Sequence, residues 1–123
     1  MTGDDVDVAR AFLEVLRAAR QTGDRSALFP FLAEDVKWLT PQRDVRGVEA
    51  ARDQLTWIKP PGNLDVEYGD PKFSDLGDGY VVSDIHEVYR TKGTGEVAYA
   101  RDRRIELTIR NGKIARYEMR IVG

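Results

Sequence analysis

The sequence contains no cysteine and only one histidine, His86. The absence of cysteine excludes a disulfide framework, a thiolate zinc site and a cysteine nucleophile. A single histidine excludes metal centres that need two or three imidazole ligands from the same chain. We therefore expect no metal site, and nothing in the sequence predicts another cofactor.

Long hydrophobic runs are also missing, because no stretch approaches the roughly 20 apolar residues that span a bilayer. The N-terminal segment MTGDDVDVAR is acidic, whereas a secretory signal begins with a basic segment followed by an apolar one. These features predict a cytoplasmic protein without a membrane partner. With 123 residues, of which 41% are hydrophobic, the chain is expected to form one domain, residues 1–123, around one core.

The net charge of −2 is small, but the charges are unevenly distributed. Residues 1–87 carry ten Lys and Arg against seventeen Asp and Glu, whereas residues 88–123 carry nine against four. A net negative chain argues against a nucleic-acid partner. The basic residues of the C-terminal part also alternate between two strand faces and form no single stripe. Nucleic-acid binding is therefore the least favoured class of function.

Hydrophobic periodicity predicts helices in the first half of the chain. The apolar face of the first helix consists of Ala9, Phe12, Leu13, Leu16 and Ala19. This helix is expected to end at Gly23, which tolerates the left-handed conformation of a helix stop. A short second helix is predicted over residues 24–32, interrupted by Pro30. A third is predicted over residues 46–58 and ends at Pro60-Pro61-Gly62.

The remaining segments alternate with the period of strands. Val36 and Trp38 predict a short strand that stops at Thr40-Pro41. Four further strands are predicted over residues 64–68, 80–90, 97–110 and 114–121. Asn111-Gly112, between the last two, is the typical sequence of a type I′ hairpin turn.

Helices followed by a run of antiparallel strands are typical of the α+β class. We predict three N-terminal helices packed against one face of a strongly curved antiparallel sheet, which together form a cone with an open mouth. Concave, mostly apolar cavities of this kind bind small ligands.

Several segments resemble the nuclear transport factor 2-like superfamily, in its SnoaL-like branch. The resemblance is carried by Phe12, Gly23-Asp24, Leu32-Ala33-Glu34-Asp35-Val36, Arg46-Gly47-Val48-Glu49-Ala50 and Asn111-Gly112-Lys113-Ile114-Ala115-Arg116-Tyr117. It implies a cone-shaped, cystatin-like roll, a pocket between sheet and helices, and a homodimer. It specifies the fold better than the function, because the superfamily contains isomerases, hydrolases, cyclases and binding modules.

The catalytic residues of three enzymes of this superfamily are mostly missing. The base of the ketosteroid isomerases would fall at Thr40-Pro41 and their tyrosine near Leu16. Of the limonene-epoxide hydrolase residues, Ile85 replaces the arginine, Met119 replaces an aspartate, and only Glu87 keeps an acid. The acid of the polyketide cyclases has no clear counterpart. The resemblance therefore implies no particular reaction.

Strand alternation predicts which side chains face the helices. The inward set comprises Val81, Ser83, Ile85, Glu87, Tyr89, Tyr99, Arg101, Arg103, Ile105, Leu107, Ile109, Ala115, Tyr117, Met119 and Ile121. Because a buried charge is costly unless paired, we expect Glu87 to pair with one arginine and leave a spare guanidinium for an anionic ligand. Alternatively, Arg101 and Arg103 lie at an exposed end in surface salt bridges, and a β-bulge at Asp102 would turn Arg101 outward.

Glu87 and Tyr117 are the predicted catalytic residues. Glu87 would act as a general acid or base in an apolar pocket, but would be structural if it pairs with arginine. Tyr117 or Tyr99 would donate a hydrogen bond to an oxyanion. The predicted ligand-binding residues are Arg101, Arg103, Tyr99, Trp38 and Met119, although a strand tryptophan such as Trp38 also serves as core filling.

His86 has the opposite parity and is predicted to lie on the outer face of the sheet. In this fold class that face packs a second subunit, so we expect a homodimer there. The predicted function is a pocket for a small apolar, partly anionic compound, with isomerase, cyclase or hydrolase activity by acid–base chemistry. The alternative is a non-catalytic binding or dimerisation module of the same fold.

Overall fold

The computed structural model describes residues 2–54 and 62–122 and has the predicted α+β architecture, with a seven-stranded sheet. Its helices are α1 (Thr2–Thr22), a 3₁₀ helix (Ser26–Phe31) and α2 (Val48–Gln54). Its strands are β1 (Leu32–Leu39), β2 (Asp44–Arg46), β3 (Leu64–Tyr68), β4 (Lys72–Asp75), β5 (Tyr80–Thr91), β6 (Val97–Arg110) and β7 (Lys113–Ile121). Over these residues, no helix is long and apolar enough to cross a membrane.

The sheet is mixed, so the prediction of a purely antiparallel sheet was wrong. The strand order is β2-β1-β7-β6-β5-β3, with β4 paired to β5 beside this path. All described pairs are antiparallel except β1 with β7, which is parallel. No hairpin connects β1 to β7, because they lie at opposite ends of the chain, and so no turn fixes their relative direction. Their register places Trp38 opposite Tyr117, and the two rings stack at 3.9 Å between centroids.

The short elements differ most from the prediction. The second helix is a single 3₁₀ segment that contains Pro30, and Leu32 already belongs to β1. Arg46, predicted to begin the third helix, lies in β2. Neither β2 nor β4 was predicted, because three or four residues show too little alternation to be recognised. The middle of the predicted third helix forms α2, whereas its last residues, with Leu55 and Ile58, and its predicted stop at Pro60-Pro61 lie outside the described residues.

The α1 helix packs its apolar face on the sheet as predicted. The five predicted core positions, Ala9, Phe12, Leu13, Leu16 and Ala19, are all buried. Phe12 lies edge-on to both Trp38 and Tyr117, which joins α1 to β1 and β7. The helix ends where predicted: Gly23 has a φ of +82°, and its N–H donates to the Ala19 carbonyl at 2.7 Å.

The two long hairpins set the direction of the side chains of β5 and β6. Asn111 and Gly112 both have positive φ, 54° and 73°, as the predicted type I′ turn requires. The register of β5 with β6 runs without a shift from Tyr80 to Tyr89. No bulge therefore occurs at Asp102, and residues 101 and 103 keep the same face as Ile105.

Gly79, at the start of β5, is predicted to be the glycine least tolerant of a side chain. Its φ is +79°, and a Cβ built on it would lie 2.1 Å from the Ile109 carbonyl oxygen. Gly77 also has a positive φ, +87°, but nothing lies within 4 Å of its Cβ position. Gly77→Ala should cost about 1–2 kcal/mol for the left-handed backbone, and Gly79→Ala clearly more because of the added clash. Urea denaturation of both variants checks this, and equal losses would contradict it.

Candidate functional site

A cavity of about 320 Å³ lies between α1 and the strands β3, β5 and β6. Its described lining is Arg10, Leu13, Glu14, Leu16, Arg17, Arg20, Tyr68, Gly69, Asp70, Pro71, Ile85, Glu87, Arg103 and Ile105. The leucines and isoleucines supply an apolar part of the wall, and the lining also includes four arginines. Arg10, Glu14 and Arg17 are exposed and mark the open side of the cavity.

Glu87 is the centre of the polar side and has no exposed surface. Its Oε2 accepts hydrogen bonds from Arg20 Nη1 at 2.7 Å and from Arg103 Nη1 at 2.6 Å. Its Oε1 accepts from the Tyr89 hydroxyl at 2.8 Å and from Arg101 Nε at 3.1 Å. A carboxylate offers about four acceptor sites, so these four donors occupy its capacity.

The arginines keep Glu87 ionised despite its burial. Burial alone would raise the pKa of Glu87, but the charges of Arg103 and Arg20 and the Tyr89 hydrogen bond lower it to about 2. Burial likewise opposes the charge of Arg20, yet the Glu87 carboxylate together with Tyr68 and Tyr89 outweighs it and raises the pKa of Arg20. Since Glu87 is both ionised and fully hydrogen-bonded, its contacts favour the structural interpretation over the general acid or base.

Tyr89 forms a second layer behind this carboxylate. Its hydroxyl accepts hydrogen bonds from Arg101 Nη2 at 2.6 Å and from Arg20 Nη2 at 3.1 Å. The Arg101 guanidinium also lies 4.9 Å from the centre of the Tyr89 ring. The ring of Tyr99 also stacks on Tyr89, at 4.4 Å between ring centroids. Arg101 thus contacts both Glu87 and Tyr89 and is the partly exposed member of the Glu87 cluster.

The cluster contains more positive than negative charge. Three arginines, Arg20, Arg101 and Arg103, share the single carboxylate of Glu87, which leaves a surplus of two positive charges. Arg10 and Arg17 line the same cavity, and neither forms an ion pair within the described part of the chain. Their guanidinium groups lie over aromatic rings instead, Arg10 over Phe73 and Arg17 over Tyr68.

The structure brings only part of the predicted site together. Glu87 and Arg103 line the cavity, and Arg101 contacts Glu87. Tyr117 is buried and accepts a hydrogen bond from Arg103 Nη2 at 3.2 Å, but it lies behind the described lining. Trp38 and Met119 are buried core residues and also lie outside that lining, so the core-filling alternative describes the position of Trp38. Tyr99 is 44% exposed and lies near the first residue of β6.

Six polar residues of the described lining were missed as site residues, namely Arg10, Glu14, Arg17, Arg20, Tyr68 and Asp70. Arg20 follows Leu16 by four positions and Leu13 by seven, so it continues the apolar face of α1. A charged residue on that face was the available signal for a buried ion pair. Tyr68 shares the strand face of Leu64 and Val66, but nothing in the sequence indicated that β3 borders the cavity.

No group of three or more His, Asp and Glu side chains within residues 2–54 and 62–122 could hold a metal ion. Carboxylates near the cavity are instead Glu14, Asp70 and Glu87, among four lining arginines. The donor set is suited to an anion rather than to a cation.

The Glu87 cluster is predicted to make the protein sensitive to acid. Because the pKa of Glu87 falls from an ordinary value of 4.5 to about 2 on folding, its stabilisation is complete above pH 4.5 and is lost as the pH falls toward 2. The loss should amount to about 3 kcal/mol, at 1.4 kcal/mol per pKa unit. Urea denaturation between pH 7 and pH 2 measures it.

Two variants identify the group responsible. Glu87→Gln removes the negative charge that three arginines share, so it should lower the free energy of unfolding by about 3–5 kcal/mol at pH 7. The free energy of unfolding of this variant should also depend less on pH in acid. Glu67→Gln removes an exposed carboxylate, 2.9 Å from Arg90, and should cost less than about 1 kcal/mol and keep the wild-type profile. Similar profiles for Glu87→Gln and wild type would contradict the assignment.

Comparison with known proteins gives matches by structure alone. No protein-family model matches the chain, and no curated protein matches its sequence. An NTF2-like (nuclear transport factor 2-like) protein from Anabaena variabilis superposes with a TM-score of 0.79 at 17% identity, covering 98% of this chain and 90% of that one. A candidate isomerase from Bacillus subtilis gives 0.73 at 17% identity, covering 96% and 88%.

TerC, co-crystallised with polyporic acid, gives a TM-score of 0.67 at 20% identity and covers 97% of this chain and 92% of its own. These structures match nearly the whole chain at identities that establish the fold and not the activity. The resemblance drawn from the sequence is thereby confirmed: the chain has the NTF2-like fold.

Proposed function

We propose that the protein binds a small, partly apolar compound that carries a carboxylate, in the cavity between α1 and the sheet. The observation that carries this proposal is the unequal cluster in which Glu87 faces Arg20, Arg101 and Arg103. A buried surplus of positive charge is costly unless an anion neutralises it. Guanidinium groups bind carboxylates with strong, directional, charge-assisted hydrogen bonds.

The apolar lining residues indicate that the part of the ligand beyond the carboxylate is apolar. Leu13, Leu16, Ile85 and Ile105 line the cavity together with the charged groups. An apolar body against these side chains would remove their surface from water, at about 25 cal/mol per Å². The volume of about 320 Å³ is at the lower end of the range for small-molecule sites, so the proposed ligand is small.

Binding is favoured over acid–base catalysis through Glu87, because that carboxylate is ionised and has no free acceptor site. The co-crystallisation of TerC with polyporic acid supports an organic acid as the type of ligand that this fold accepts. One structural neighbour is named as an isomerase, so the proposal includes catalysis. In such a reaction the arginines would stabilise the negative charge that develops on the substrate. A binding module without catalysis remains the alternative and shares the same cavity.

The proposal predicts selective binding of carboxylates. 3-Phenylpropanoate should raise the melting temperature and bind measurably by calorimetry, whereas 3-phenylpropanamide, of nearly the same shape, should bind much more weakly. Arg17→Gln should weaken binding of the carboxylate by about fivefold, since Arg17 lines the open side of the cavity without an ion pair of its own.

Arg104→Gln is the matched control, because Arg104 pairs with Asp84 at 2.9 Å on the outer face. It should leave the affinity unchanged. Equal affinity for acid and amide, or equal weakening by Arg17→Gln and Arg104→Gln, would contradict an anion site in the cavity.

The homodimer is a separate part of the proposal, with the outer face of the sheet as the surface. That face carries polar contacts, among them the hydrogen-bond contact of His86 Nδ1 with Asp102 Oδ1 at 2.7 Å and the ion pair of Arg104 with Asp84. Light scattering should give about twice the chain mass of 13.9 kDa. Arg104→Glu should shift it toward the monomer, whereas Arg46→Glu, on the edge strand β2, should not. A monomeric wild type would refute the dimer without affecting the cavity.

A further inference from the structure

Two hydrogen-bond donors in the wall of the cavity have no partner among the described residues. They are the hydroxyl of Tyr68 and the Nε–H of Arg103, and both atoms are inaccessible to water. Arg103 as a whole is 95% buried, since only 5% of its surface is exposed. Buried donors in proteins are nearly always paired, so two in one cavity wall indicate a partner that enters the cavity.

The acceptors of the Glu87 cluster are already occupied. Glu87 already accepts four hydrogen bonds, from Arg20, Arg101, Arg103 and Tyr89. The hydroxyl of Tyr89 accepts from two arginines and donates to Glu87, so its bonds are fully used as well. A ligand oxygen that displaces the cavity wall around these two atoms would supply the acceptor that the cluster lacks.

Tyr68 is held in position by the arginines around it. The guanidinium of Arg20 lies 5.5 Å from the centre of the Tyr68 ring and that of Arg17 lies 6.0 Å from it. Because these cations lie close to the Tyr68 ring, the hydroxyl of Tyr68 is the group of this side chain that we expect to bind a ligand. Burial raises the pKa of Tyr68 more than the charges of Arg20 and Arg103 lower it, so the hydroxyl is a protonated donor at neutral pH.

We propose that Tyr68 and Arg103 form the subsite for the ligand's carboxylate, with the Tyr68 hydroxyl and the Arg103 Nε–H as donors to its oxygens. This inference rests on the proposed function and assigns the residue that selects the head group. A carboxylate only accepts hydrogen bonds, whereas the nitrogen of a primary amide only donates them. An amide in the same position would therefore leave one donor unpaired, so Tyr68 is a specificity-determining residue.

Tyr68→Phe tests the subsite, because it removes the hydroxyl and keeps the ring that the arginines contact. The variant should bind 3-phenylpropanoate about tenfold more weakly than wild type, since a hydrogen bond to a charged group is lost. Its affinity for 3-phenylpropanamide should change little, so the preference for the acid should shrink by the same factor. Isothermal calorimetry measures both affinities.

Two other tyrosines provide controls. Tyr80→Phe removes a hydroxyl that donates to Glu106 at 2.8 Å, away from the described lining, and should leave both affinities unchanged. Tyr99→Phe tests the tyrosine that the sequence placed in the site, and it should also have no effect. A larger effect of Tyr99→Phe than of Tyr68→Phe would overturn the subsite.

A spectroscopic measurement on the wild-type protein is independent of the folding of any variant. With ¹³Cζ-labelled tyrosine, addition of 3-phenylpropanoate should shift the Tyr68 resonance and leave that of Tyr80 in place. An unmoved Tyr68 signal on binding, or unchanged selectivity in Tyr68→Phe, would overturn the subsite while the proposed function stands. Failure of wild type to bind the acid would overturn both.

Discussion

The fold depends on one carboxylate that water does not reach. Glu87 joins α1 to the sheet through Arg20, and joins β5 to β6 through Arg101 and Arg103. Because an unpaired buried charge is far more costly than an exposed one, the folded state needs all of these donors in place. The hydrophobic face of α1 can pack on the sheet in more than one way, but only a docking that brings Arg20 to Glu87 satisfies the carboxylate.

The same cluster prepares the cavity for an anion. One arginine would neutralise Glu87, but three are present, and three hydrogen bonds distribute its charge among them. The surplus positive charge lies beside an apolar wall that includes Leu16 and Ile105. The interaction that fixes the position of α1 therefore also makes the cavity favourable for an anion. A substitution of Glu87 alone would change both effects at once.

Strand alternation predicted the face of each side chain well and its depth poorly. Glu87 and Arg103 were placed inward because β5 and β6 are long and their register is unbroken at this point. Tyr99 has the same parity as Arg103, yet it is 44% exposed. The position of a residue along a strand, odd or even, predicts which side of the sheet its side chain faces. The burial of that side chain depends on how far α1 extends along the strand. Arg20 was missed because an arginine on a helix is normally assigned to solvent, and its buried partner lies 67 positions away.

The protonation states of the cavity groups limit the chemistry that the site can perform. Glu87 is held ionised with its acceptor sites filled, its carboxylate helps to raise the pKa of Arg20, and burial raises the pKa of Tyr68. These groups are suited to stabilising an anion, whether a bound carboxylate or an oxyanion that forms during a reaction, and Glu87 is not suited to taking up a proton. Proton abstraction would fall to Glu14 or Asp70, the other carboxylates of the described lining, both of them exposed. The buried part of the cavity is therefore suited to holding negative charge, and binding is the function that it supports most directly.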